Sequence, residues 1–262
     1  MDKIKLIIKK EWMEVFKNRM VIFTVAFLPL ILIAIPLIIL YSTNDVGTTG
    51  LASTGQSISS DLCAENPNDP NCFQIYLVSQ FLMMFMLIPL AIPVTFSAYS
   101  IVGEKNNKSL EPLLATPIKT SELLMGKSLA ALIPAVIATY GAFLCFLIGA
   151  WIILVDKSII IAFLDLRWLI AILIVGPLMA FFAVNLSLMI SSRVNDPRAA
   201  EQLSMVVVVP VLAIFFGQMA GLIVINIGVI SIAALILIIF DMLVYYFANK
   251  VFQRENILIR WK

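Results

Sequence analysis

The chain has 262 residues, 61% of them hydrophobic and only 13% charged, with a mean hydropathy of +1.03. Soluble domains carry roughly 25% charged residues, so this composition excludes an ordinary globular protein and predicts a polytopic membrane protein. The net charge of +2 gives no ground for nucleic-acid binding, and the absence of histidine removes His-dependent hydrolysis and His-ligated haem or zinc.

The chain opens on DKIKLIIKKEWMEVFKN, residues 2–18. Here Ile4, Ile7, Ile8, Glu11, Trp12, Val15 and Phe16 recur at spacings of three and four, with Lys3, Lys9, Lys10, Glu14 and Lys17 mostly on other faces. Apart from Glu11 this is an apolar stripe on a basic helix, the pattern of a segment lying in a membrane interface. It reads equally as an anchor for the next helix and as a moving connector.

A membrane helix needs about 20 consecutive apolar residues. Six runs qualify: 20–41, 75–101, 128–154, 168–190, 203–225 and 228–248. The fold expected is all-α, one membrane domain over residues 1–262, with the run at 20–41 read as a membrane helix rather than a removed signal peptide. Residues 1–19 contribute six Lys or Arg, 102–127 four, 191–202 two and 249–262 four, leaving only Lys157 and Arg167 for the opposite side. The positive-inside rule therefore predicts a plasma-membrane protein with both termini cytoplasmic.

The outward loop, 42–74, carries four acidic residues and no basic one. Cys63 and Cys72 bracket its Asn/Pro/Asp-rich part, and an oxidising compartment would allow a bridge between them; two free thiols are the alternative. Neither this pair nor Cys145, inside an apolar run, resembles a metal or redox motif, so no metal site is expected.

The connection after the second run, 102–127, is far longer than the 2 to 8 residues that typically join antiparallel helices, which predicts a docking or moving segment. Leu110, Leu113 and Leu114 make a short apolar face, and Pro112 and Pro117 punctuate it. Thr120 or Ser121 then caps a new helix with Glu122 in its first turn. Gly126-Lys127-Ser128 ends like a phosphate-binding loop, but Ser121 stands where that motif needs glycine and no strand precedes it. No nucleotide site is expected on this chain; if ATP drives it, another chain binds the ATP.

These residues carry a resemblance. Glu104, Lys105, Ser109, Leu110, Glu111, Leu113, Leu114, Thr116, Pro117, Gly126 and Lys127 follow the order found in six-helix permease subunits of the ABC-2 superfamily of ATP-binding-cassette exporters, although Lys108 stands where many relatives have glycine. The resemblance implies a permease that pairs with a second copy or a paralogue. It implies a coupling segment at 105–115 resting in a groove of a separate ATPase subunit, and a connecting helix at 2–18. ATP and Mg would be bound by that partner, with no cofactor on this chain.

In the second cytoplasmic loop, Arg193, Asp196, Arg198 and Glu201 either contact the ATPase, pair with Glu104 and the first loop, or form a solvated loop that fixes topology. Within the spans, Asp241 is an isolated carboxylate, costing about 2.5 to 3.5 kcal/mol to insert at a helix centre. It is read as a structural partner of Asn185, Gln218 or a basic residue, or as a proton or cation site. The sequence thus predicts the membrane half of an exporter for amphipathic or lipophilic cargo in contact with membrane lipid; the competing reading is an ion-coupled secondary carrier using Asp241.

Overall fold

A computed structural model describes residues 2–17, 19–45, 72–106, 120–154, 158–220, 222 and 225–251, and every regular element among them is helical. Helix α1 (Asp2–Val15) is followed closely by α2 (Arg19–Asp45). Helix α3 (Cys72–Met84) runs through one 3-10 turn, Phe85–Leu87, into α4 (Ile88–Asn106). Helix α5 (Thr120–Ile153) is a single element of 34 residues. Short helices α6 (Ser158–Phe163) and α7 (Leu166–Ile170) lead through a π turn, Ala171–Val175, into α8 (Gly176–Ser191). Helix α9 (Pro197–Ser204), a 3-10 turn (Met205–Val207) and α10 (Val208–Met219) follow, and α11 (Ile227–Val251) is the last.

Among the described residues, six segments are long and apolar enough to cross a bilayer: Val21–Ser42, Val78–Glu104, Ser121–Ile153, Leu166–Ser191, Pro197–Met219 and Ile227–Lys250. The third helix restarts at Thr120 with Glu122 in its first turn, so it enters the membrane run already wound. The fifth span stops at Met219, short of the 203–225 expected. Asn226 then opens α11, its side-chain oxygen accepting the Val229 N–H at 2.9 Å, as helix N-caps do.

The irregular turns have one cause. A proline inside a helix offers no N–H to the carbonyl four residues earlier, and in lipid that carbonyl must find another donor. Pro89, Pro177 and Pro210 are each preceded by a turn of non-α helix: Phe85–Leu87, Ala171–Val175 and Met205–Val207. Before Pro89, the Ile88 N–H bonds back to the Phe85 carbonyl. Before Pro177, the Leu173 carbonyl accepts a hydrogen bond from the Tyr140 hydroxyl of α5 at 3.0 Å. The same solution recurs at Pro134, where the donor comes from α1.

The second span is the axis of the bundle. It is 83% buried, against 18% for the first span and 11% for the sixth. Helix α4 packs on α2, α5, α8 and α9. Ala98 of α4 is buried against Ala200 of α9, and the contact with α8 carries interhelical hydroxyl bonds. The Ser187 hydroxyl donates to the Val94 carbonyl at 3.3 Å, and the Ser191 hydroxyl lies 3.4 Å from the Ala98 carbonyl. Further along, the rings of Phe85, Phe146 and Phe163 pack tilted against one another in series, with centroids 5.5 and 5.7 Å apart.

Candidate functional site

Three elements converge where α4 ends and α5 begins. Helix α1 lies against α5 and the end of α4, turning Ile7 and Val15 inward as its apolar stripe predicts. Glu11 falls on that same stripe and is equally buried, at 3% exposure. Lys127 of α5 and Glu104 of α4 are as deep, at 4% and 2%. Charges so placed persist only when paired.

They are paired in series. Lys127 Nζ lies 2.6 Å from Glu11 Oε1 and 2.9 Å from Glu104 Oε2, and donates to the Ser100 hydroxyl at 2.8 Å. Lys10 Nζ reaches Glu104 Oε1 at 2.5 Å. Two buried glutamates and two lysines alternate here, tying α1 to α4 and α5, and Lys10 also meets Glu14 at 3.6 Å. Burial pushes the Glu11 carboxyl up; the Lys127 charge, hydrogen bonds from Lys127 and Ser100, and the Lys10 charge outweigh it and hold the carboxyl below its ordinary value of 4.5.

Two neighbouring contacts set how closely α1 approaches. A Cβ at Gly126 would stand 2.8 Å from Ile7 Cγ2 and 3.0 Å from Ile7 Cβ, so only glycine lets the helices meet at this distance. One turn further, the Trp12 indole N–H donates to the Ala130 carbonyl at 2.9 Å. That carbonyl is the one deprived of its helical donor by Pro134. Helix α1 therefore completes the hydrogen bonding of the third span.

Glu104 and Lys127 flank the segment expected to couple to an ATPase, and their 2.9 Å pair closes its base. Lys105 lies in the last turn of α4. Ser109, Leu110, Glu111, Leu113, Leu114, Thr116 and Pro117 lie outside the described residues. Cys63 does too, while Cys72 opens α3, so the expected pairing of these two cysteines also falls outside them.

The second loop resolves into a capped helix. The Asp196 side chain accepts the Arg198 N–H at 3.0 Å, and Pro197 occupies the first helical position, where its missing N–H costs nothing. Glu201 accepts a hydrogen bond from Thr95 Oγ1 at 2.7 Å, fastening α9 to α4, while Arg193 and Arg198 are exposed. Glu104 is engaged by Lys10 and Lys127, so Glu201 binds the shaft of α4 at Thr95, well before its end.

Asp241 and Asn185 do not pair. The Asn185 side chain donates to the Phe181 carbonyl of its own helix at 2.9 Å and accepts from the Ser128 hydroxyl at 3.3 Å, which uses its carbonyl and one N–H. Asp241 is buried at 6% exposure, and neither of its oxygens has a hydrogen-bond partner among the described residues. Gln218 Oε1 is likewise without one, so the expected Asp241–Gln218 pair is not formed.

The six apolar helices among the described residues define a multi-pass membrane protein. A family model described as "ABC-2 family transporter protein" matches residues 6–257, nearly the whole chain, and the chain belongs to that family. Its permeases are membrane subunits that work with ATPase subunits. A search of curated proteins returned no match.

Proposed function

We propose that this chain is the membrane-spanning permease of an ATP-driven exporter in the plasma membrane, with both termini cytoplasmic. Residues 105–115 dock in a groove of a separate ATP-binding-cassette subunit, which binds the ATP and Mg. A second permease, a copy or a paralogue, completes the path, and the cargo is amphipathic or lipophilic. The observation that carries this reading is the clasp of Lys10, Glu104, Lys127 and Glu11. It joins both ends of the docking segment to each other and to α1, so a push on that segment moves three helices as one body. The concentration of Lys and Arg on the same side supports the orientation.

The test is purification of the chain from its native membrane in mild detergent, with every co-purifying protein identified and counted. One ATP-binding-cassette subunit per permease is the expected result, and Leu110→Asp with Leu113→Asp should abolish its retention and its stimulated hydrolysis while membrane insertion stays intact. Unchanged stimulation in that variant would refute the docking assignment. A second reading, an ion-coupled carrier, draws on Asp241, a buried carboxylate with no partner among the described residues. Transport by the purified chain without an ATPase, lost on Asp241→Asn, would favour it.

A further inference from the structure

Beside its contact with α5, the N-terminal segment carries a groove of about 490 Å³, lined by Lys5, Ile8, Lys9, Trp12, Met13 and Phe16. Its floor is apolar and its rim is basic. Met13 is 61% exposed and Phe16 44%, although both stand beside a helix that the bundle holds firmly. The ring of Trp12 is fixed by its bond to the Ala130 carbonyl, and Phe16 packs edge-on against Phe96 with centroids 5.7 Å apart. Two of the residues that line the groove are thus held by contacts with the bundle.

Charge tells what the groove fits. The acidic side chains described on α1 point elsewhere: Glu11 is sealed against Lys127, and Glu14 sits 3.6 Å from Lys10. Lys5 and Lys9, one turn apart, are exposed and make no ion pair among the described residues. Along the chain the lining runs Lys5, Ile8, Lys9, Trp12, Met13, Phe16, so the two lysines flank Ile8, and Trp12, Met13 and Phe16 follow toward the start of the first span at Val21. A ligand for this surface has a compact anion at one end and a hydrocarbon tail at the other, and it is supplied by the bilayer beside which the helix ends.

We propose that this groove binds one anionic phospholipid, with its phosphate between Lys5 and Lys9 and an acyl chain along Ile8, Trp12, Met13 and Phe16. The lysine stems lie on the apolar floor while their ammonium groups reach the headgroup. The site shares with the proposed transport role only the placement of α1 at the membrane surface, and it stands whether or not an ATPase docks.

The test is native mass spectrometry of the purified full-length chain in a delipidating detergent, titrated in parallel with phosphatidylglycerol and phosphatidylcholine. The first phosphatidylglycerol should bind more tightly than phosphatidylcholine, and each of Lys5→Gln and Lys9→Gln should remove about fivefold of that preference, from the strength of a lysine's attraction to an anionic lipid surface. Lys5→Arg with Lys9→Arg should retain it. All these side chains are exposed, so the fold is not at stake. Equal binding of the two lipids would overturn the proposal, as would a preference unchanged by the double Gln variant or equally reduced by Lys17→Gln in the turn that follows α1. Displacement of the lipid by an equal concentration of glycerol phosphate would show that phosphate alone suffices and would overturn the lipid assignment.

Discussion

Replacing Trp12 by phenylalanine keeps most of the aromatic packing and removes one donor, the indole N–H that reaches the Ala130 carbonyl at 2.9 Å. Ala130 is 3% exposed, so water cannot take the donor's place. Pro134 denies the carbonyl a donor from its own helix. Leaving a buried acceptor unmatched costs about 1–3 kcal/mol, and measured interhelical hydrogen bonds in membranes reach at most about 1.7 kcal/mol, so Trp12→Phe should destabilise by about 1–2 kcal/mol. Pro134→Ala returns an N–H to position 134 and restores the helical bond to Ala130. In that background Trp12→Phe should cost under about 0.5 kcal/mol, a coupling near 1 kcal/mol. The assay is reversible unfolding of the four proteins by titrating dodecyl sulfate into mixed micelles, followed by circular dichroism. Equal costs of Trp12→Phe in both backgrounds would refute the idea that α1 serves the proline-freed carbonyl.

Lys127→Met removes the charge shared by two buried glutamates and should cost about 3–5 kcal/mol in the same assay, whereas Lys127→Met with Glu11→Gln, which leaves the neutral Lys10–Glu104 pair, should recover most of that loss. Glu11's folded pKa lies below its ordinary value of 4.5, so its contribution is complete above that pH and is lost as pH falls through the folded value; Glu11→Gln should flatten the acid limb of a stability profile and leave the profile from pH 5 to 7 unchanged in shape. Gly126→Ala forces a Cβ to 2.8 Å from Ile7 Cγ2 and should destabilise by about 1–3 kcal/mol, with Ile7→Ala recovering part of it in the double variant; additive losses would contradict the contact. Asp241→Asn should assemble with stability equal to or above the parent, because no partner among the described residues is lost; a collapse in yield or melting temperature would reveal a structural pair.

The six spans were legible because lipid demands long apolar runs, and the restart at Thr120 because an acidic first turn, at Glu122, announces a helix. The clasp was not, since Lys127 and Glu11 are 116 positions apart and only folding brings them to 2.6 Å. A trace of it was present all the same: Glu11 interrupts an otherwise apolar stripe, and a carboxylate on a buried face needs a cation somewhere. Lys127, which stands at the head of a long apolar run, is the natural candidate. The pairing expected for Asp241 is not formed, and Asn185 turns its amide to its own helix and to Ser128 instead. Spacing shows which residues share a face but not whose hydrogen bonds are already spent.

The two proline-freed carbonyls that borrow a donor from another helix have a temporal order in common. Trp12 precedes Ala130 in the chain, and Tyr140 precedes Leu173. A ribosome working from the N-terminus has therefore already made each donor when its acceptor enters the bilayer. The third span arrives to find α1 waiting, and the fourth finds the third. Neither defective helix has to linger in hydrocarbon until a later segment is synthesised, so the order of insertion is written into the direction of these two bonds.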